Sequence, residues 1–181
     1  MPTLIVEDGT GLSNANSFVS VAEADAFFSN VGSASWAAAS VDEKESALIR
    51  ATAYLSTYFR WTGKRVKGRD QALAIPRSGM TDCDGNDVPS DEVPIELKIA
   101  TYHGGSFELD TPNGLLPNIT PNAQNKRVKV GPIEVEYRDV DAQTLGDADG
   151  VDDSRIVLTA IEDVLRCLVE GRIAVPYPVA V

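Results

Sequence analysis

The sequence predicts a mainly α protein, a four-helix bundle with a small β-hairpin and extended N- and C-terminal arms. Three observations lead there. Four segments open on a Ser or Asp and carry apolar faces. One segment alternates apolar and polar residues on either side of Gly131-Pro132. The end, from Ile173 to Val181, is apolar and broken by prolines, so it cannot be helical. At 181 residues, the chain suits one domain with arms. We place a helical domain over 1–171, a hairpin insertion at about 126–137, and a tail over 172–181.

Taken in order, Thr3 to Glu7 reads as an edge strand closed by a turn at Asp8-Gly9. Gly-Thr-Gly-Leu (9–12) lacks the downstream Gly and Lys-Ser/Thr of a nucleotide loop and is expected to be a structural turn. The first helix runs from Val21 to about Asn30. Ser20 and Glu23 form its capping box, Ala24, Phe27 and Phe28 its inner face, and Gly32 its end. Trp36 should plug the gap before the second helix. That helix gives the strongest signal in the chain, from Val41 to about Arg60. Ser40 and Glu43 cap it, and Ala47, Leu48, Ala51, Tyr54, Leu55 and Tyr58 line one face.

Gln71 to Ile75 is a short apolar run stopped by Pro76. Asp82 to Asp87 has its glycine too early, and lacks the closing Glu, for a calcium loop, so a turn at Asp84-Gly85 is expected. The third helix opens at Ser90, with Val93 and Pro94 in its first turn, and should fray at His103-Gly104-Gly105. Residues 110–125 read as a proline- and asparagine-rich loop, and 139–153 as an acidic, solvated one. The hairpin places Lys126, Arg127 and Lys129 on one arm and Glu134 and Glu136 on the other. The last helix runs from Asp153 or Ser154 to Glu170, with Gly171 as its stop.

Charge is distributed unevenly. The chain carries a formal −11 with a pI near 4.5, which excludes a surface that coats nucleic acid throughout. Against that background Arg60, Lys64, Arg65, Lys67, Arg69 and Arg77 form one basic patch. It reads as a solvated loop, a phosphate- or DNA-facing loop, or a contact with an acidic neighbouring subunit. Trp61 beside it is either a stacking platform for a base or, as expected of an aromatic at a helix end, part of the core. Cys83 and Cys167 are read as two free thiols. No basic leader with an apolar run opens the chain, and no stretch is long and apolar enough to span a membrane. No nucleophile–base pair, carboxylate pair or metal cluster marks an enzyme, and no cofactor is expected. His103, the lone histidine, is read as structural or exposed.

A set of motifs resembles a known family. These are Val-Glu-Asp-Gly-Thr-Gly-Leu at 6–12, the Ala-Thr-Ala-Tyr-Leu helix followed by Trp61, Gln-Ala-Leu-Ala-Ile-Pro-Arg-Ser-Gly at 71–79, Asp-Gly-Asn-Asp-Val-Pro with a second Val-Pro at 93–94, and Val-Gly-Pro-Ile-Glu-Val-Glu-Tyr at 130–137. Together they resemble the phage DnaT-like single-stranded-DNA-binding family. The size of such proteins is similar to that of head–tail adaptors of tailed phages, also called connector or head-completion proteins.

The resemblance implies a structural adaptor. Roughly twelve identical subunits would form a ring beneath the portal protein. The ring would join head to tail, meet a tail-completion or tail protein, and let double-stranded DNA pass without sequence-specific contact. Its place would be the virion, after assembly in the host cytoplasm. The partner-binding residues would be Ile173, Val175, Pro176, Tyr177, Pro178 and Val179, since an apolar extended strip needs a surface to dock on. The alternative is single-stranded-DNA binding by Arg60, Trp61, Lys64, Arg65, Lys67 and Arg69.

Overall fold

A computed structural model describes residues 3–116, 127–130, 133–136 and 158–172. They fall in two units, 3–116 with 158–172, and the hairpin within 127–136. Helix α1 (Val21–Val31) starts where the sequence places it. The Ser20 hydroxyl accepts from the Glu23 amide, and the Glu23 carboxylate accepts from the Ser20 amide. Gly32 closes α1 in the left-handed conformation, φ 83°. Helix α3 (Val41–Tyr58) repeats the capping box with Ser40 and Glu43.

Between them Ser33 caps a short helix, α2 (Ala34–Ala38), which the small-residue composition had hidden. It seats Trp36 in the core. The indole stacks on Phe28 at 4.6 Å between centroids and donates to Asp25 Oδ1 at 2.7 Å. Lys44 bonds the same carboxylate oxygen at 2.9 Å.

Helix α4 (Ile95–Asp110) packs across α3. Pro94 caps it, so it starts later than a Ser90 cap would give, and it does not fray at 103–105. Gly104 and Gly105 sit at the crossing instead. A Cβ on Gly104 would lie 3.0 Å from the Ala51 Cβ, and one on Gly105 3.0 Å from Leu48 Cδ2. The glycines cost helix propensity, about 1 kcal/mol each. Helix α3 lies so close that a Cβ at either position would require Ala51 or Leu48 to give by a few tenths of an ångström. Glu108, buried near the C-terminus of α4, accepts from Arg50 Nε at 2.6 Å and from the amides of Asn113 (2.8 Å) and Leu115 (2.9 Å), which satisfies the loop that follows.

The four-helix bundle is not what forms. The described residues hold five helices and four two-stranded antiparallel pairs, a mixed α and β architecture. Helix α3 ends at Tyr58 rather than Arg60 and turns directly into strand β1 (Phe59–Trp61). The last helix, α5, is only Thr159–Leu165. Residues 166–168 turn, and strand β8 (Val169–Arg172) pairs with β1, Arg60 opposite Gly171 and Trp61 opposite Val169. Gly171 is therefore a strand residue and not a helix stop. The apolar spacing of Ile161, Leu165 and Leu168 mimics a continuing helix, but Leu168 is spent otherwise. Its carbonyl accepts from the Thr62 amide at 3.1 Å and hydroxyl at 3.0 Å. At the N-terminus the expected edge strand is reduced to a single parallel bridge, Val6 with Ser17.

The remaining pairs are β2 (Lys64–Arg65) with β3 (Arg77–Ser78), β4 (Met80–Thr81) with β5 (Asp87–Val88), and β6 (Arg127–Val130) with β7 (Ile133–Glu136). The β6–β7 register sets Arg127 opposite Glu136 and Lys129 opposite Glu134. The β4–β5 turn is a hairpin loop. Asp82 accepts from the amides of Asp84 and Asn86 and from the Asn86 side chain. Among the described residues no cluster of three His, Cys, Asp or Glu could hold a metal ion, and no helix is long and apolar enough to cross a membrane.

Cys83 and Cys167 are joined in a disulfide, their Cα atoms 5.1 Å apart, and are not free thiols. Proximity across 84 residues of sequence is a tertiary result that spacing could not reveal. The bridge ties the β4–β5 loop to the turn between α5 and β8. By the chain-entropy argument, a loop of this length stabilises by about 4–5 kcal/mol. Reduction with a dithiol, or Cys83→Ser with Cys167→Ser, should therefore lower the urea midpoint by a matching amount. An unchanged midpoint would show that the bridge constrains little.

Candidate nucleic-acid interface

The basic patch is a loop with a rigid base. Strand β1 delivers the chain from α3, and β2 and β3 clasp the loop at Lys64–Ser78 and Arg65–Arg77. Residues 63–70 face water, so Lys64, Arg65, Lys67 and Arg69 are all exposed. Gln71 is buried beneath them and holds the loop closed. Its Oε1 accepts from the Lys67 amide at 3.3 Å, and its Nε2 donates to the carbonyls of Leu73 and Pro76, both at 3.0 Å. Leu73, Ala74 and Ile75 bury the returning segment in the core, before a cis Ile75–Pro76 bond.

The six cations divide by role. Arg77 turns inward. Its guanidinium donates to the Thr62 carbonyl at 2.6 Å, the Gly63 carbonyl at 2.7 Å and the Ala74 carbonyl at 3.4 Å. Burial, with Arg65 nearby, holds its pKa below the usual arginine value, and Glu170 offsets part of this. Arg60 is exposed and pairs with Glu170 at 3.1 Å. A pair this exposed contributes little to stability. Lys64, Arg65, Lys67 and Arg69 take part in no ion pair among the described residues and point their charge at solvent.

Trp61 leaves the interface. It is only 6% exposed, packs edge-on to Phe59 at 6.2 Å, and donates from Nε1 to the Leu55 carbonyl at 3.1 Å. With its faces in the core it cannot receive a base. The tail positions Ile173, Val175, Pro176, Tyr177, Pro178 and Val179 lie outside the described residues, as do Lys126 and the acidic stretch 139–153.

Sequence reasoning missed what supports the loop. Glu7, a buried carboxylate, accepts from the amides of Gly9 (3.1 Å), Gly11 (2.8 Å) and Leu12 (2.9 Å). This folds Gly-Thr-Gly-Leu into an anion-centred turn in which the protein supplies its own anion. Gly9 (φ 94°) lies against the Asp91 backbone, and a Cβ on Gly11 (φ 76°) would come within 2.8 Å of Lys67 Cγ. The Leu12 carbonyl then accepts from the Ala72 amide at 3.0 Å. The N-terminal turn thus braces the underside of the basic loop. The signal was present, a Glu two and four residues ahead of glycines, but reading it needed the partner surface.

His103 is half-buried, with its ring edge-on to Phe27 at 5.9 Å. Burial lowers its pKa below the ordinary value.

A family model described as "Putative DnaT-like ssDNA binding protein" matches residues 2–176. The chain belongs to this DnaT-like family. The match spans the Glu7 turn, the basic loop and α5. No curated protein and no solved structure matches the chain.

Two outcomes test the support. Glu7→Ala strands three backbone donors and should cost about 2–4 kcal/mol, with faster hydrogen exchange at Gly9, Gly11 and Leu12. Retained stability would remove the brace. For His103 the folded pKa lies below the ordinary 6.5. The unfolded chain therefore binds the proton first, and stability should fall as pH drops below 6.5, a component missing in His103→Gln.

Proposed function

We propose that the protein binds single-stranded DNA through the loop carrying Lys64, Arg65, Lys67 and Arg69, gripping phosphates rather than bases. One observation carries the reading: four solvent-facing cations without ion-pair partners among the described residues stand on a pinned loop, in a chain whose net charge is −11. The family description supports the same class of ligand. Trp61 is buried and the large exposed apolar side chains among the described residues are aliphatic, so among those residues no exposed aromatic platform accompanies the cations. Binding should then follow the backbone, tolerate any base, and depend strongly on salt. The acidic remainder repels the strand and confines contact to the loop.

The charge of −11 also favours a second reading, a structural adaptor in a phage virion. On that reading the acidic surface faces a DNA channel in a ring of subunits, and 173–179 dock on a portal protein.

Anisotropy of a labelled oligothymidylate, titrated across salt, separates the two. Four phosphate contacts predict a slope of log K against log salt of about −3, at roughly −0.7 per contact. Lys64→Ala with Arg65→Ala should weaken binding and flatten that slope by about 1.4. Absence of binding at low salt would end the first reading and leave the adaptor, whose own test is loss of portal attachment on deletion of 173–181.

A further inference from the structure

The basic loop has a counterpart on the same chain. A shallow cleft of about 330 Å³ lies between the end of β5 and the start of α4. Its apolar surface is Val88, Pro89 and Ile95, and Asp87, Glu92 and Glu96 rim it. Ile95 is 62% exposed although it opens a core helix. The other charged groups at the cleft are already engaged. Lys98 pairs with Glu23 at 2.9 Å, and Asp82 spends its carboxylate on its own hairpin. The three rim carboxylates have no ion-pair partner among the described residues. The basic loop shows the converse pattern: Val66, 42% exposed, is the aliphatic residue among Lys64, Arg65, Lys67 and Arg69.

We propose that the cleft receives the basic loop of a second copy of this chain. Val66 would cover Ile95 and Val88 while the loop cations meet Asp87, Glu92 and Glu96. This is the usual arrangement of an interface, an apolar centre with a charged rim. Both halves are exposed on each molecule and do not meet within it. The turn at 9–11 stands between them, Gly9 against the Asp91 backbone and Gly11 against Lys67. Opposite charge on one chain that is otherwise acidic points to self-recognition, since acidic surfaces elsewhere would repel a second copy. The inference uses the same cations as the DNA reading, so a DNA strand and a second copy compete for the loop.

Sedimentation of the full chain over a concentration series, at low and high salt, tests it. Self-association should appear at low salt and weaken with added salt as the rim charges are screened. Glu92→Lys with Glu96→Lys should weaken it by about tenfold or more, and so should Lys64→Glu with Arg65→Glu. Combining all four substitutions in one chain should restore it. Ile95→Ser, at an exposed position that leaves the fold intact, should weaken association without altering its salt dependence. A chain monomeric throughout, or association indifferent to the Glu92 and Glu96 reversal, would overturn the proposal. Dilute oligothymidylate binding reports separately. It should survive the Glu92 and Glu96 reversal, and its absence in a chain that still self-associates would sink the DNA reading alone.

Discussion

The carboxylate of Glu7 organises the side of this protein that carries the basic loop. A buried anion is costly unless hydrogen bonds surround it. Here three backbone amides from Gly9, Gly11 and Leu12 do so. Satisfying that charge forces the chain into a tight turn that only glycine allows at two positions. The turn then presses on Asp91 at one side and on Lys67 and Gln71 at the other. A cationic loop that would otherwise disperse is thereby held against the body, with Gln71 below it and Arg77 knotting its base.

Electrostatics and packing divide the labour between residues close in sequence. Arg77 and Trp61 spend their polar groups on backbone carbonyls and serve the fold. Lys64, Arg65, Lys67 and Arg69 are left to solvent because the strands on either side are only two residues long and the loop outruns the core. A basic sequence patch is thus a scaffold part and a solvent-facing part. Only the second faces solvent, so the contact with phosphates we propose would rest on charge, with no large exposed aromatic ring among the described residues.

The close approach of α3 and α4 carries the other half of the structure. Gly104 and Gly105 remove the side chains that would separate the helices, and Ala51 and Leu48 fill the space. Helix α3 is thus fixed along its length, and the direction in which it releases β1, and so the basic loop, is fixed with it. The disulfide and the β1–β8 pairing secure the same region from the C-terminal side.

Local chemistry was legible in the sequence by itself. The serine–glutamate caps of α1 and α3, the glycine end of α1, the alternation that became β6–β7 and the position of the basic patch all depend on residues within a few places of each other. Backbone donors at a helix start need an acceptor wherever the helix lies, so such signals survive any tertiary arrangement. Tertiary structure alone decided the rest. Helix or strand after Leu165 depended on whether β1 was there to pair. Free thiol or bridge depended on two residues 84 apart in sequence. Fraying or continuity at Gly104 depended on a neighbouring helix. Each turns on a partner distant along the chain, and one-dimensional spacing contains no such distance.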